Sequence, residues 1–347
     1  MARVQVVGGG IFGLACAWEL TRRGVPVVLH EAAAIGVGSS GGTVGALAPH
    51  APEQWTETKQ IQLDALIAAE NWWAQVAQAG GTDPGYARTG RLQPLPDQAA
   101  VDRAKARIKG AETLWPDGFG MQLLDQPGPL PCTSPTGLWL FDNLTARLSP
   151  RRAGAALLAA LRAKSAEIRL GSAPDPDALH GPAIWATGVA GLDRLSQDTG
   201  KTAGNGVKGQ SATLRLPGVD LRNAPQIYAD GLHIVSHADG GIGVGSTSER
   251  DFTNLSTDQA LEDVIARARI LCPRLQHAQI ETRWAGVRPR ARSRAPMVGP
   301  WPGRAGHYIA NGGFKIGFAM APACAAMLAD LLLDGHDRIP DGFRPPA

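Results

Sequence analysis

Three glycines near the start of the chain, Gly8, Gly10 and Gly13, have the spacing that brings a backbone against a diphosphate. They follow a short apolar run, Val4-Gln5-Val6-Val7, and open an alanine-rich helical pattern that reaches about Arg23, where Gly24 closes it. A second apolar run, Pro26 to Leu29, leads to Glu31. Strand, turn, helix, strand and terminal acid together form a dinucleotide-binding pattern. Gly8 permits the tight turn, and Gly10 lets the backbone approach a pyrophosphate at the positive end of the helix. Gly13 lets helix and strand pack closely, and Glu31 can accept hydrogen bonds from a ribose. Ile11 and Phe12 at the helix start, and Ala32 after the acid, belong to the same candidate site. The unit does not say which dinucleotide it holds, and a glycine-rich turn with no ligand would carry the same spacing.

The next stretch is Gly36-Val37-Gly38-Ser39-Ser40-Gly41-Gly42-Thr43-Val44-Gly45-Ala46-Leu47-Ala48-Pro49-His50. Here the chain resembles the D-amino acid oxidase superfamily of flavoproteins, most of all its glycine oxidase and monomeric sarcosine oxidase branches. In those proteins a loop of small residues with paired hydroxyls wraps the pyrophosphate and flavin of FAD. The resemblance gives that role to Ser39, Ser40, Thr43, Val44, Gly45 and Ala46. It returns at Ala186-Thr187-Gly188, at Trp284-Ala285-Gly286-Val287-Arg288-Pro289 and at Gly312-Gly313-Phe314-Lys315, with Ile316 beside the last. It thus spans nearly the whole chain, with a weakly matched middle. The implied fold is α/β: a Rossmann-like FAD-binding domain interleaved with an antiparallel-sheet substrate domain. Residues 1–82, 137–205 and 285–347 are expected in the first, and 83–136 and 206–284 in the second.

Two cations carry the chemistry that the resemblance implies. Gly286-Val287-Arg288-Pro289 matches a glycine oxidase sequence in which the arginine holds the substrate carboxylate. A planar guanidinium grips a carboxylate at two points and so fixes the substrate Cα. The other reading places Arg288 in an exposed basic loop with Arg290, Arg292 and Arg294. Lys315 matches a sarcosine oxidase lysine that contacts the same carboxylate. It stands where the last helix begins, a position unfavourable for a cation unless an anion compensates; the alternative is a lysine reaching for solvent. His50 matches a histidine of the glycine oxidases and could equally be structural. Tyr228 shapes a pocket or simply sits in the sheet, and His237, near a turn, is expected to be exposed.

The chain also departs from its relatives. Sarcosine oxidases attach FAD through a cysteine near the position of Val287 to Arg290, whereas this chain has none between Cys272 and Cys324. The flavin is therefore expected to be noncovalent. Gly243 stands at about the position of their oxygen-activating lysine, which glycine oxidases also lack. This leaves O2 or another electron acceptor open. The segment between Leu170 and Ala183 is short for the family, which leaves open what covers the adenine.

The elements that must position these residues are legible as patterns. Helices are expected over Thr58 to Ala79, Asp97 to Leu114, Pro150 to Lys164 with Ser149 as cap, Ser256 to Leu271 behind a capping box, and Ile316 to Leu333. Tyr86 to Leu95 reads as an edge strand, because Gly90, Pro94 and Pro96 interrupt it. Further strands are expected at Gly137 to Phe141, Ile168 to Leu170, Ala183 to Ala186, Ile280 to Val287 and His307 to Ala310. Short runs from Gln210 to Thr247 read as an antiparallel sheet, which the resemblance implies is the platform under the substrate.

The 347 residues suffice for two domains, and a net charge of +3 gives no global field for nucleic acid. The four cysteines have no metal-site spacing, and Cys16 and Cys324 fall in helical patterns as small core residues. No apolar run reads as a membrane span, and the first strand starts too near Met1 for a signal peptide, so a cytoplasmic protein is expected. The leading functional reading is FAD-dependent oxidation of a small amino acid or secondary amine, with hydride passing from Cα to flavin N5 and an imine as product. A tRNA-modifying flavoprotein acting on an aminomethyl group and a catalytically silent FAD-binding subunit are the alternatives.

Overall fold

The computed structural model describes residues 3–346; Met1, Ala2 and Ala347, at the outer ends of the expected cofactor-domain segments, lie outside the described residues. The chain begins β1 (Val4–Val7), α1 (Ile11–Arg22), β2 (Val27–Glu31), β3 (Ala46–Leu47), α2 (Glu57–Gly80), β4 (Arg91–Pro94) and α3 (Gln98–Leu114). It continues with β5 (Met121–Leu124), β6 (Trp139–Asp142), β7 (Ala146–Arg147), α4 (Pro150–Ala163), β8 (Glu167–Leu170), β9 (Ala183–Trp185) and α5 (Gly188–Thr199). Then follow β10 (Gly204–Arg215), β11 (Gln226–Ala229), β12 (Leu232–Ser236), β13 (Gly241–Gly245) and α6 (Gln259–Leu271). β14 (Gln279–Ala291), β15 (Met297–Pro300), β16 (His307–Asn311) and α7 (Gly317–Asp334) complete it.

Two large sheets result. The first has the order β15-β16-β9-β1-β2-β8. Its strands are parallel except for β15. Val6 and Ile184 are fully buried at its centre, as expected for a parallel sheet covered on both faces. α1, α2, α4 and α7 share one core with one face, and α5 packs Leu192 and Leu195 against the other. The second sheet has the order β14-β10-β13-β12-β11-β4-β6-β5 and is antiparallel except where β11 meets β4. Its core lies under α6.

α7 is placed by its core contacts more than by charge. Met320, Cys324 and Leu328 are fully buried against the α1 and α2 layer. Each large apolar side chain so buried contributes about 1.5–3 kcal/mol. The Arg23–Asp330 pair at 2.7 Å, partly exposed, adds about 0–1 kcal/mol. By length and composition α7 is apolar enough to cross a membrane, a property not expected from the sequence patterns, but one face of it is spent on this core.

Several expectations are corrected by the hydrogen-bond ladders. β4 is interior, paired with β6 on one side and β11 on the other. Its ladder to β11 stops at Leu92, so Pro94 needs no donor there. The expected domain borders cut through sheets. β6 begins after residue 137 yet pairs with β4 and β5, so it belongs to the second sheet. Residues 206 and 285 fall inside β10 and β14, which pair along nearly their full lengths. Arg288 lies within β14 and not after it. At α6 the cap is Asp258, whose carboxylate accepts from Ala260 N at 3.0 Å, so the Ser256 box does not form. Ser149 precedes α4 without a side-chain cap bond, and Pro150 alone marks the start. α5 and β15 were not read from the sequence.

The first turn gives a test. A methyl group at Gly13 would stand 1.9 Å from the Gly8 carbonyl oxygen, whereas one at Gly10 meets only Ser40 Oγ at 3.3 Å. Ala gains about 1 kcal/mol over Gly in a helix interior. A backbone clash of this kind costs about 1–3 kcal/mol and outweighs it. Gly13→Ala should therefore lower the denaturant midpoint of the cofactor-free protein. Gly10→Ala should leave that midpoint in place and reduce dinucleotide uptake. Equal midpoints for Gly13→Ala and the parent would refute the packing argument.

Candidate active site

The turn after β1 is shaped by backbone contacts. Gly8 has φ +111°, and a Cβ there would lie 2.4 Å from the Ala186 carbonyl oxygen. The helix start behind it points N–H groups at the space in front of Gly10. Ile11 N already donates to Ser40 Oγ at 3.0 Å, which ties the small-residue loop to the head of α1. Thr43 Oγ1 donates to the Ala212 carbonyl at 3.1 Å and anchors the loop's other end on β10. Glu31 is held by two backbone donors, Gly9 N at 2.7 Å on Oε2 and Ala33 N at 2.8 Å on Oε1. Each carboxylate oxygen keeps acceptor capacity for a ribose hydroxyl.

A cavity of about 970 Å³ runs from this turn to the second sheet. The expected residues Gly8, Gly10, Ile11, Phe12, Glu31 and Ala32 line it. So do Ser39, Ser40, Thr43, Val44, Gly45 and Ala46 of the loop. Ala186, Thr187, Gly188, Gly313, Phe314, Lys315 and Ile316 close it from the far side. Gly13 and Gly312 do not line it. Gly13 is spent on the β1–α1 contact, and Gly312, with φ +74°, presses on Ala291. The short segment after Leu170 runs along the cavity at this end. Ala173, Pro174 and Pro176 border the cavity beside Glu31, and Ser172 N donates to the Glu31 carbonyl at 3.0 Å.

At the other end the two expected cations come together. Phe314 N donates to the Pro289 carbonyl at 3.0 Å, and Arg290 bridges Gly313, so the loop before α7 is stitched to the end of β14. Arg288 is 8% exposed and donates through Nη1 to the Thr247 carbonyl at 3.0 Å. Its guanidinium lies across Gly209, where a Cβ would stand 2.1 Å from Cζ. Burial pulls its pKa down to about 10, with Glu249 acting the other way, so the charge persists at neutral pH. Lys315 opens onto the cavity, its Nζ 5.7 Å from the Phe314 ring centroid. Burial lowers its pKa, and the neighbouring Arg288 and Arg290 lower it further. Among the described residues neither Arg288 nor Lys315 has an ion-pair partner, and no carboxylate lines this end of the cavity.

Tyr228 and His233 are cross-strand partners on β11 and β12, with ring centroids 4.7 Å apart, and both face the cavity. Burial first, then Arg91, Lys315 and Arg288, push the His233 pKa down to about 3. His50 borders the same space; its backbone N donates to Gln62 Oε1 at 3.0 Å, and its pKa is lowered mainly by burial. His237 is buried instead of exposed, with Nε2 2.9 Å from the Thr43 carbonyl oxygen. Gly243 leaves no room for a side chain, because its Cβ would stand 2.1 Å from that same oxygen. Arg91 and His233 were missed. Their only signal was a polar residue at an inward position of a short strand.

The residues fit an FAD. Gly10 would present open backbone to a diphosphate, Glu31 would accept from a ribose, and the loop at Thr43 to Ala46 would flank a flavin. Residues 3–331 match the family described as FAD dependent oxidoreductase. A Rhizobium etli protein whose name assigns it to thiamine biosynthesis, as the oxidoreductase ThiO, is 30% identical over 338 residues, covering 95% of this chain and 96% of its own. The glycine oxidase of Pseudomonas aeruginosa is 27% identical, covering 98% of this chain and 96% of its own. Among solved structures, the glycine oxidase of Geobacillus kaustophilus superposes with a TM-score of 0.87 at 20% identity, covering 100% and 99% of the two chains, which shows the shared fold. With that fold, that cavity and a match along nearly its whole length, the chain belongs to the FAD-dependent oxidoreductase family of the glycine oxidase and ThiO type, and is an FAD-dependent amine or amino acid oxidoreductase.

Proposed function

We propose that the substrate is a small amino acid or N-substituted glycine whose carboxylate is held by Arg288 and Lys315. One observation carries this reading: two cations converge at the inner end of the cavity without a protein carboxylate between them. Such charges are costly to desolvate unless an anion arrives. Bound FAD supplies the acceptor for the two electrons of the Cα–H bond. Arg288, in a strand and stacked on Gly209, sets the orientation of Cα by its two-point grip. His233 stays neutral, so it can accept a hydrogen bond from the amine but is too weak a base to hold its proton at neutral pH. The amine therefore reacts in its neutral form, and the imine product is hydrolysed by water. The name of the Pseudomonas aeruginosa relative points to glycine itself as one candidate. No observation favours an RNA substrate. Arg288 is buried and Arg290 lies over the Phe314 ring at 5.3 Å, which leaves only Arg292 and Arg294 exposed.

The carboxylate grip can be tested at two residues that act as one. Arg288→Ala removes a charge-assisted pair worth about 2–5 kcal/mol in such a contact. Catalytic efficiency should fall by roughly thirtyfold to several thousandfold. Gly209→Ala displaces the guanidinium without touching its charge and should cause a loss of similar order. Normal turnover in both variants would remove Arg288 from the site.

Lys315 predicts a pH limb. Its lowered pKa means that its charge is present at neutral pH and is lost, as pH rises, earlier than an ordinary lysine's. Affinity for a carboxylate should therefore drop on an alkaline limb, which Lys315→Arg should move to higher pH. In Lys315→Met the limb should vanish, and the flavin potential of the free enzyme should fall. An unshifted potential together with an unchanged limb would place Lys315 outside the site.

The flavin is proposed to be noncovalent. Cys16, Cys132, Cys272 and Cys324 are all buried, and none lines the cavity. Heat or acid should release free FAD into the supernatant; yellow colour that stays with the precipitate would contradict this.

A further inference from the structure

We propose that Arg91 forms a second carboxylate site in the same cavity, so that the substrate is an amino acid carrying two carboxylates, the second on its side chain or on its nitrogen. This rests on the reading that Arg288 and Lys315 hold the first.

Arg91 stands on β4, across the cavity wall formed by Tyr228 and His233. It is 7% exposed, and it is among the residues that line the cavity. One edge of its guanidinium is fixed, because Nε donates to Asp142 Oδ2 at 2.9 Å. Asp142 is itself fully buried, and its other oxygen accepts from Thr145 N at 2.8 Å. Tyr228 supports the group from one side, its ring centroid 5.8 Å from Cζ. The Nη1 and Nη2 groups make no hydrogen bond among the described residues. Those two groups form one of the guanidinium edges that takes a carboxylate at two points.

A purely structural pair between β4 and β6 would explain the Asp142 contact. It does not explain why the remaining donors of a nine-tenths buried cation stay unmatched beside a cavity. These donors open onto the cavity, where a carboxylate can take both of them. The charge balance points the same way. Arg91, Arg288 and Lys315 are all near enough to lower the pKa of His233, and all four line the cavity. Asp142 offsets one of the three charges, and two carboxylates on a substrate with a neutral amine offset the other two. Arg107, which also borders the cavity, is already paired with Glu53 at 2.6 Å. Glu31 lies at the opposite, ribose end and contributes nothing here.

The test titrates the yellow holoenzyme with non-reacting carboxylates and follows the flavin absorbance. Acetate and propionate probe the first site alone; malonate and succinate probe both. In the parent enzyme the dicarboxylates should bind tighter by roughly ten- to a hundredfold, the value of a charge-assisted contact. Arg91→Lys keeps a charge against Asp142 but loses the two-point edge, and should reduce that ratio to within about threefold of unity. The double variant Arg91→Gln with Asp142→Asn, which leaves no orphaned charge, should do the same. Aspartate or iminodiacetate should likewise bleach the flavin at a higher kcat/KM than alanine or sarcosine in the parent only. Equal binding of mono- and dicarboxylates by the parent overturns the Arg91 site. So does a full dicarboxylate preference in Arg91→Lys. In either case acetate binding that is lost in Arg288→Ala leaves the first carboxylate site standing, whereas acetate binding indifferent to Arg288→Ala overturns both.

Discussion

Backbone presses on backbone where β1, α1 and β9 meet, and the rest of the molecule is arranged around that contact. The Gly8 carbonyl oxygen occupies the space of any side chain at position 13, and the Ala186 carbonyl oxygen occupies the space of any at position 8. Three segments therefore approach more closely than a methyl group allows. The contact puts the head of α1 at the carboxyl ends of β1 and β9, which lie side by side in the sheet while the chain leaves β1 for β2 on the other flank. A switch of direction of this kind opens a crevice at the sheet edge, where a dinucleotide can lie.

The second sheet is brought to that crevice by equally close contacts. Gly243 on β13 meets the Thr43 carbonyl, and the same carbonyl is 2.9 Å from His237 Nε2. β14 ends beside the loop before α7, where Phe314 N reaches the Pro289 carbonyl. Arg288 and Lys315, 27 positions apart in sequence, are thereby held at one place by a backbone hydrogen bond between their neighbours. The position of Arg288 depends on an absence. Gly209 has no side chain, so the guanidinium can lie flat on β10 and keep its outer donors for the cavity.

The cofactor half was legible in the sequence because its constraints are local. Gly8, Gly10, Gly13 and Glu31 act through turn geometry and helix ends, and their spacing states it. The loop Ser39 to Ala46 was recognisable as a motif, but the uses of its hydroxyls were not. Ser40 binds the head of α1 and Thr43 a carbonyl on β10, and both partners are remote in sequence. Arg288 was found by motif yet placed just past its strand, which was expected to end at Val287. In fact Pro289 continues β14 opposite Gly206. Arg91 and His233 were not legible. Their place at the cavity comes from pairing across β4, β6, β11 and β12, and one strand's alternation does not reveal what the neighbouring strands put beside it. The expected border at residue 137 did not foresee the ladder between β4 and β6, for the same reason.

If the cations recognise the substrate as proposed, they also bear on how it would react. Burial starts the depression of His233, and Arg91, Lys315 and Arg288 deepen it. A site that concentrates positive charge to hold a carboxylate cannot also keep a histidine basic within reach of it. The same field disfavours a protonated amine on the substrate, because an ammonium would be placed among like charges. On that proposal recognition and activation would share one electrostatic cause: a field that holds a carboxylate would also favour the neutral amine, the form that can lose a hydride from Cα. With Arg91 and Arg288 fixed on strands and Lys315 held beside them by the Phe314–Pro289 bond, the protein's part would be orientation and charge, with the redox chemistry left to the flavin.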